Sequence, residues 1–124
     1  MSSPTSSSSC ATFHSYTNSL SASALEVFVG RGNLYGFLVE NNTASDIFLQ
    51  VFDAASAASV TVGTTAPVFT VRIPGSSAFG KDADDMSYKF LGNGCVVAVT
   101  TTRTGNTAPA TTATAQFWFV NRQP

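Results

Sequence analysis

From Leu25 onward, apolar and polar side chains alternate with the period of an extended chain. Leu25, Val27 and Val29 are interleaved with Glu26 and Phe28, a spacing of two that predicts a β-strand. A turn at Gly30-Arg31-Gly32-Asn33 leads into Leu34-Tyr35-Gly36-Phe37-Leu38-Val39, which is apolar on both faces. Beyond the polar stretch Glu40 to Asp46, Ile47, Leu49 and Val51 point one way and Phe48, Gln50 and Phe52 the other. Asp53 to Ser59 is small and polar, a loop or a single helical turn, and Val60-Thr61-Val62 reads as a short strand or an extended approach. Val68 to Ile73 is a further strand, closed by the break at Pro74-Gly75. Ser76 to Ser87 is polar, Tyr88 to Leu91 runs into the turn Gly92-Asn93-Gly94, and Cys95 to Thr101 is a strand of β-branched and small residues. A Thr-, Ala- and Gly-rich loop precedes the last strand, Gln116 to Val120.

Helical spacing of apolar residues is missing from every long stretch, while turn signals recur between short strands. Residues 25–124 are therefore expected to form an all-β domain, an antiparallel β-sandwich of jelly-roll or immunoglobulin-like type. The ten phenylalanines would fill its interior, each fully buried one contributing about 1.5–3 kcal/mol.

Residues 1–24 have a different character. They are rich in serine, with Ser6 to Ser9 consecutive, and carry no Asp, Glu, Lys or Arg. Such a segment has little apolar surface to offset the entropy of ordering, and it is predicted to be an extended N-terminal arm that orders on a partner. Phe13, Tyr16 and Leu20 are the side chains with which it would bind. Phe48 and Phe52, opposite the core-facing Ile47, Leu49 and Val51, are expected to form an exposed aromatic stripe of the kind that marks a partner surface. The competing reading of that strand is burial on both faces by a long loop.

Length and charge narrow the field. A chain of 124 residues has room for one ordinary domain. Charged residues make up 10%, against about 25% in an average globular protein. Six basic and seven acidic residues, with no cluster of Lys and Arg, argue against nucleic acid as a partner. Apolar runs of a handful of residues predict no membrane-spanning helix, and the N-terminus shows no export signal.

No constellation for catalysis, cofactor binding or metal binding emerges, and the chain is not expected to be an enzyme. The single histidine, His14, lies in the arm, where nothing would hold an imidazole in a triad. Asp82, Asp84 and Asp85 resemble the start of a calcium loop, but Met86 and Ser87 stand where an oxygen ligand and a glycine are needed, so a solvated loop is expected. Cys10 is expected to be a free thiol in the arm and Cys95 a buried strand residue. Asn41-Asn42-Thr43 is a formal glycosylation sequon read here as a turn. Trp118 and Tyr35 are either core residues or a platform on which a sugar ring stacks.

One group of segments is similar to a recurrent pattern. These are Asn33 to Asn41, Ile47 to Asp53, Val62 to Gly75 and Gly92 to Thr102, the most distinctive being Gly63-Thr64-Thr65-Ala66-Pro67-Val68-Phe69-Thr70-Val71-Arg72-Ile73-Pro74-Gly75. Their order resembles that of small β-sandwich structural proteins of tailed bacteriophages; the Ser-rich arm lies outside the resemblance. It implies a virion component assembled in the host cytoplasm, such as a capsid cement (decoration) protein on the capsid surface. Its partners would be the major capsid protein or other virion proteins, and its own copies in a dimer or trimer. The alternative is a tail-fibre module that binds a receptor or carbohydrate.

Overall fold

Nine β-strands and one short 3-10 turn make up the ordered framework in the computed structural model, which describes residues 13–81 and 89–121. The strands are β1 (Phe13–Leu20), β2 (Leu25–Val29), β3 (Gly32–Glu40), β4 (Ile47–Asp53), β5 (Phe69–Ile73), β6 (Ala78–Lys81), β7 (Lys89–Leu91), β8 (Gly94–Thr100) and β9 (Ala113–Asn121). They form two antiparallel sheets. One has the order β1-β9-β3-β6, with β7 also paired to β3; the other has the order β2-β8-β4-β5.

The pairings nest. β1 pairs with β9, β2 with β8, β3 with β6 and β7, and β4 with β5. The chain is thus one long antiparallel ribbon doubled back beyond β4. Rolling that ribbon brings β9 against β3 and β8 against β4, which closes the two sheets. The inner faces pack as alternation predicts: Leu34, Phe37, Val39, Ile47, Leu49, Val51, Val97, Val99, Phe117 and Phe119 share one core. Phe28 of β2 stacks on Phe119 of β9 with ring centroids 4.9 Å apart, a direct tie between the sheets. Gly32 makes room for that stack, since a Cβ there would lie 2.6 Å from the Phe28 ring.

Three local expectations need correction or narrowing. The predicted arm over 1–24 is not free over its second half: residues 13–20 are the edge strand β1, in unbroken register with β9 from Phe13–Val120 to Leu20–Ala113. Leu20 is a core residue, 1% exposed, and Tyr16 packs half-buried against the same core. An edge strand needs only one buried anchor and one hydrogen-bonded side, so a Ser/Thr-rich segment suffices when β9 supplies the ladder. The remainder of the arm, residues 1–12, lies outside the described residues. Of the two readings of Val60 to Val62, the short strand does not form: Val60 is extended after the 3-10 turn Ala57–Ser59, and the chain runs into a turn in which the N–H groups of Thr64 and Thr65 donate to the Thr61 carbonyl. Conversely, Ser76 to Ser87 contains β6, which pairs with the outer edge of β3.

Candidate functional site

The central strands β8 and β4 of the second sheet, β2-β8-β4-β5, are largely covered on both faces by their own chain, while Val29 at the end of β2 stays exposed. Every residue of β8 is buried. On the outward side, Phe52, Val60, Val96 and Ala98 form a second small core, closed by Ala24, Ala54, Ala57 and Val62. The loop after β8 covers the rest. The buried Gln50 donates from Nε2 to Thr100 Oγ1 at 2.7 Å and to the Gly105 carbonyl at 3.0 Å. Arg103 lies 5.0 Å from the centre of the Phe48 ring and donates from Nη1 to Thr70 Oγ1 at 2.7 Å.

The exposed stripe expected of Phe48 and Phe52 is therefore not present. Phe52 is 1% exposed and Phe48 is half-buried beneath Arg103. The apolar side chains on that face are satisfied by loops of their own chain, the second of the two readings the sequence left open. Phe13 has its backbone in β1, opposite Val120, and its side chain lies outside the described residues, as does that of His14. Tyr16 and Leu20 turn inward and hold β1 to the core. Of the four sequence-predicted partner residues whose side chains are described, Tyr16, Leu20 and Phe52 pack against cores and Phe48 lies beneath Arg103, so these four do not form one exposed surface.

The first sheet is different. Phe117 and Phe119 point inward, so Gln116 and Trp118 of β9 point out. Leu38 and Glu40 of β3 and Thr17 of β1 share that outer face. Thr17, Leu38, Glu40, Thr114 and Gln116 line a shallow depression on it. Trp118 stands opposite Ser15 on one side and Gly36 on the other, and the glycine leaves space beside the indole. Tyr35 sits at the register shift of β3, where the ladder to β9 skips a residue.

Towards the margin of this sheet are three of the exposed large apolar residues: Leu38, Phe79 on β6 and Phe90 on β7, the last 54% exposed. The Lys81 ammonium lies 5.9 Å from the Phe79 ring, and Lys89 adjoins Phe90. Sequence reading did not single out these residues. Leu38 carried a signal, since a run apolar on both faces must expose one of them or be covered. Phe79 carried little, because β6 is only four residues long within a polar stretch.

Two sequence motifs resolve into structural roles. Asn41 is 4% exposed, and its Nδ2 donates to the carbonyls of Ser45, Ile73 and Pro74 while its Oδ1 accepts from the Thr43 N–H and hydroxyl. An amide so engaged cannot accept a glycan in the folded chain. Cys95 is fully buried, and desolvation first, then the nearby Asp53 charge, holds its thiol far above the usual range. It is a packing residue. Asp53 itself is a clamp: its carboxylate accepts from the backbone N–H groups of Gly92 and Asn93 and so shapes the turn before β8. Among the described residues no three His, Cys, Asp or Glu come together as a metal-binding group; Asp82, Asp84 and Asp85 lie outside those residues.

These features define an antiparallel β-sandwich in which one sheet has its middle covered on both faces by loops and the other keeps an open outer face. No protein-family model, curated protein or solved structure matches the chain.

Proposed function

We propose that this chain is a structural protein of a tailed-bacteriophage virion, a cement protein that binds and stabilises the major capsid shell. The observation that carries the reading is the asymmetry between the sheets. The middle of the outer face of β2-β8-β4-β5 is closed by the protein's own loops, with Val29 left exposed at the end of β2, whereas the outer face of the other sheet presents Leu38 and Phe90 to solvent and Phe79 lies at its margin on the core-facing side, opposite Val39 and near Phe37. A charge-poor sandwich with large apolar residues exposed at its surface is suited to adhesion by shape. Repetition on a shell multiplies weak contacts, so a modest patch is sufficient. The sequence pattern from Asn33 to Thr102 supports the same class. The nested pairing of β1 with β9 through β4 with β5 supports a jelly-roll form of the sandwich, an architecture common in viral capsid domains. In this reading the protein works at the capsid surface after assembly in the host cytoplasm, as a dimer or trimer beside the major capsid protein. The Ser-rich N-terminal segment contributes to shell binding in this reading.

Quantitative mass spectrometry of purified virions tests it. A copy number commensurate with the shell protein is expected, and a chain missing from particles, or present in a few copies, would sink the cement reading. Deleting residues 2–12 should lower shell occupancy while leaving the sandwich folded.

The half-exposed Trp118 beside Gly36 favours one alternative, a tail-fibre module that stacks a sugar ring on the indole. Trp118 fluorescence that responds to added glycans, in a protein present at fibre copy number, would select it.

A further inference from the structure

An open sandwich has four sheet edges, and three of them here are protected. β2 is five residues long and is broken by a register shift between Glu26 and Phe28. β5 carries Arg72, lies between Pro67 and Pro74, and has Thr70 tied down by Arg103. The edge beyond β3 is split into the short strands β6 and β7, which carry Lys81 and Lys89. Charge, proline, irregularity and brevity are the usual means of keeping a sheet edge from pairing with another chain.

β1 has none of them. It is eight residues long, its sequence Phe13-His14-Ser15-Tyr16-Thr17-Asn18-Ser19-Leu20 contains no Asp, Glu, Lys, Arg or Pro, and its ladder with β9 has no register shift. Among the described residues β9 is its only strand neighbour, so its outward ladder is unpaired by strand. One local contact does fall on this strand: the Ser19 N–H donates to Asn18 Oδ1 at 2.7 Å.

We infer that β1 is the self-association edge of this protein, pairing antiparallel with β1 of a second copy to make one continuous sheet across a two-fold axis. Two features select a second copy as the occupant. The strand has no Asp, Glu, Lys or Arg, so two identical copies meet without the repulsion that would guard an edge carrying them. Its side-chain sizes are also compatible with pairing about its middle, with Ser15 and Ser19 equidistant from Thr17. Asn18 Nδ2 donates to Tyr16 OH at 2.9 Å on one side of the strand. A two-fold axis through Thr17 sets Tyr16 of each copy opposite Asn18 of the other, keeping inward residues opposite inward residues, as an antiparallel ladder requires. Thr17 then faces Thr17 of the second copy on the outer side. This names the surface of the self-association proposed above, and it needs no capsid.

The test uses the full chain, free of capsids, with Cys10→Ser to remove the other thiol. Sedimentation equilibrium at micromolar concentration should show a species of twice the chain mass. Thr17→Lys, which places two ammonium groups face to face, should weaken it at least about tenfold, a loss of the order of 1.4 kcal/mol, while Thr64→Lys on a distant loop should not. In separate variants Ser15→Cys, Thr17→Cys and Ser19→Cys, oxidation should cross-link position 17 most readily, since directly opposed residues in an antiparallel pair lie within disulfide reach. A monomeric wild-type protein would overturn the inference. So would a dimer or trimer indifferent to Thr17→Lys with no cross-link at these three positions, or a β1 that pairs only with a strand of another protein. Capsid occupancy is measured separately, so loss of the cement reading and loss of this edge are distinguishable.

Discussion

Asn41, Asp46 and Cys95 show how single side chains hold this charge-poor sandwich together. Asn41 joins the turn after β3 to the turn after β5, and Gly75 fits that junction because a Cβ there would fall 2.1 Å from the Ala44 carbonyl oxygen. Asn41→Ala should cost about 2–3 kcal/mol, the penalty for leaving several buried backbone groups unpartnered, measured by urea denaturation. Asp46 accepts from Arg72 Nε at 2.8 Å and from the Gly75 N–H, and these hydrogen bonds, the Arg72 one foremost, hold its carboxyl below the ordinary value. A carboxylate with a lowered folded-state pKa adds stability above its unfolded pKa and loses it as pH falls through the folded one. Asp46→Asn should therefore remove a small part of the pH dependence of thermal unfolding below about pH 4, and leave stability at neutral pH little affected by further pH change. Cys95, fully buried and held protonated, should be inert to a thiol reagent in folded Cys10→Ser protein and react once the chain is unfolded in guanidinium.

At the level of strands and loops, the informative comparison is β4. Its sequence shows two apolar faces, Ile47-Leu49-Val51 and Phe48-Phe52, and period alone does not say whether the second face meets water, a partner or the chain itself. The loops following β4 and β8 decide it, by burying Phe52 with Val60 and Val96 and capping Phe48 with Arg103. Phe52→Ala should accordingly destabilise the fold by about 3–5 kcal/mol, whereas Phe90→Ser, at an exposed position, should stay within about 0.5 kcal/mol of wild type. The same pair separates packing from adhesion: in the cement reading only Phe90→Ser lowers shell occupancy at unchanged melting temperature. Most strands were legible because their inner residues alternate strictly, as in β9 and β4. β1 was not, since its single well-buried anchor, Leu20, leaves no periodic apolar signal; its strand state depends on a ladder with residues about a hundred positions away. β6 was hidden for the same reason, supported by β3 and not by its own composition.

Across the whole molecule, the two sheets have different relations to their surroundings. The middle of one is enclosed by loops and behaves as interior on both sides; the other offers a face, an aromatic margin and the edge β1, which has no Asp, Glu, Lys or Arg. Its rolled ribbon of nested pairs brings the two ends of the described chain together, β1 beside β9. Removing β1 as well as residues 1–12 should therefore expose the edge of β9 and cause aggregation, whereas removing residues 2–12 alone should leave a soluble, cooperatively unfolding protein; light scattering and thermal melts separate the two. Local sequence determined the all-β class, the positions of most strands, the inward set of apolar residues and the burial of Cys95, because each follows from the two-residue repeat of an extended chain and the exclusion of apolar side chains from water. Tertiary structure alone decided that residues 13–20 are a strand, that Phe48 and Phe52 are covered, and that Leu38, Phe79 and Phe90 are not. Those outcomes depend on which distant segment comes to lie against each face and edge, and that is set by the long-range pairing of the ribbon, to which no short window of sequence has access.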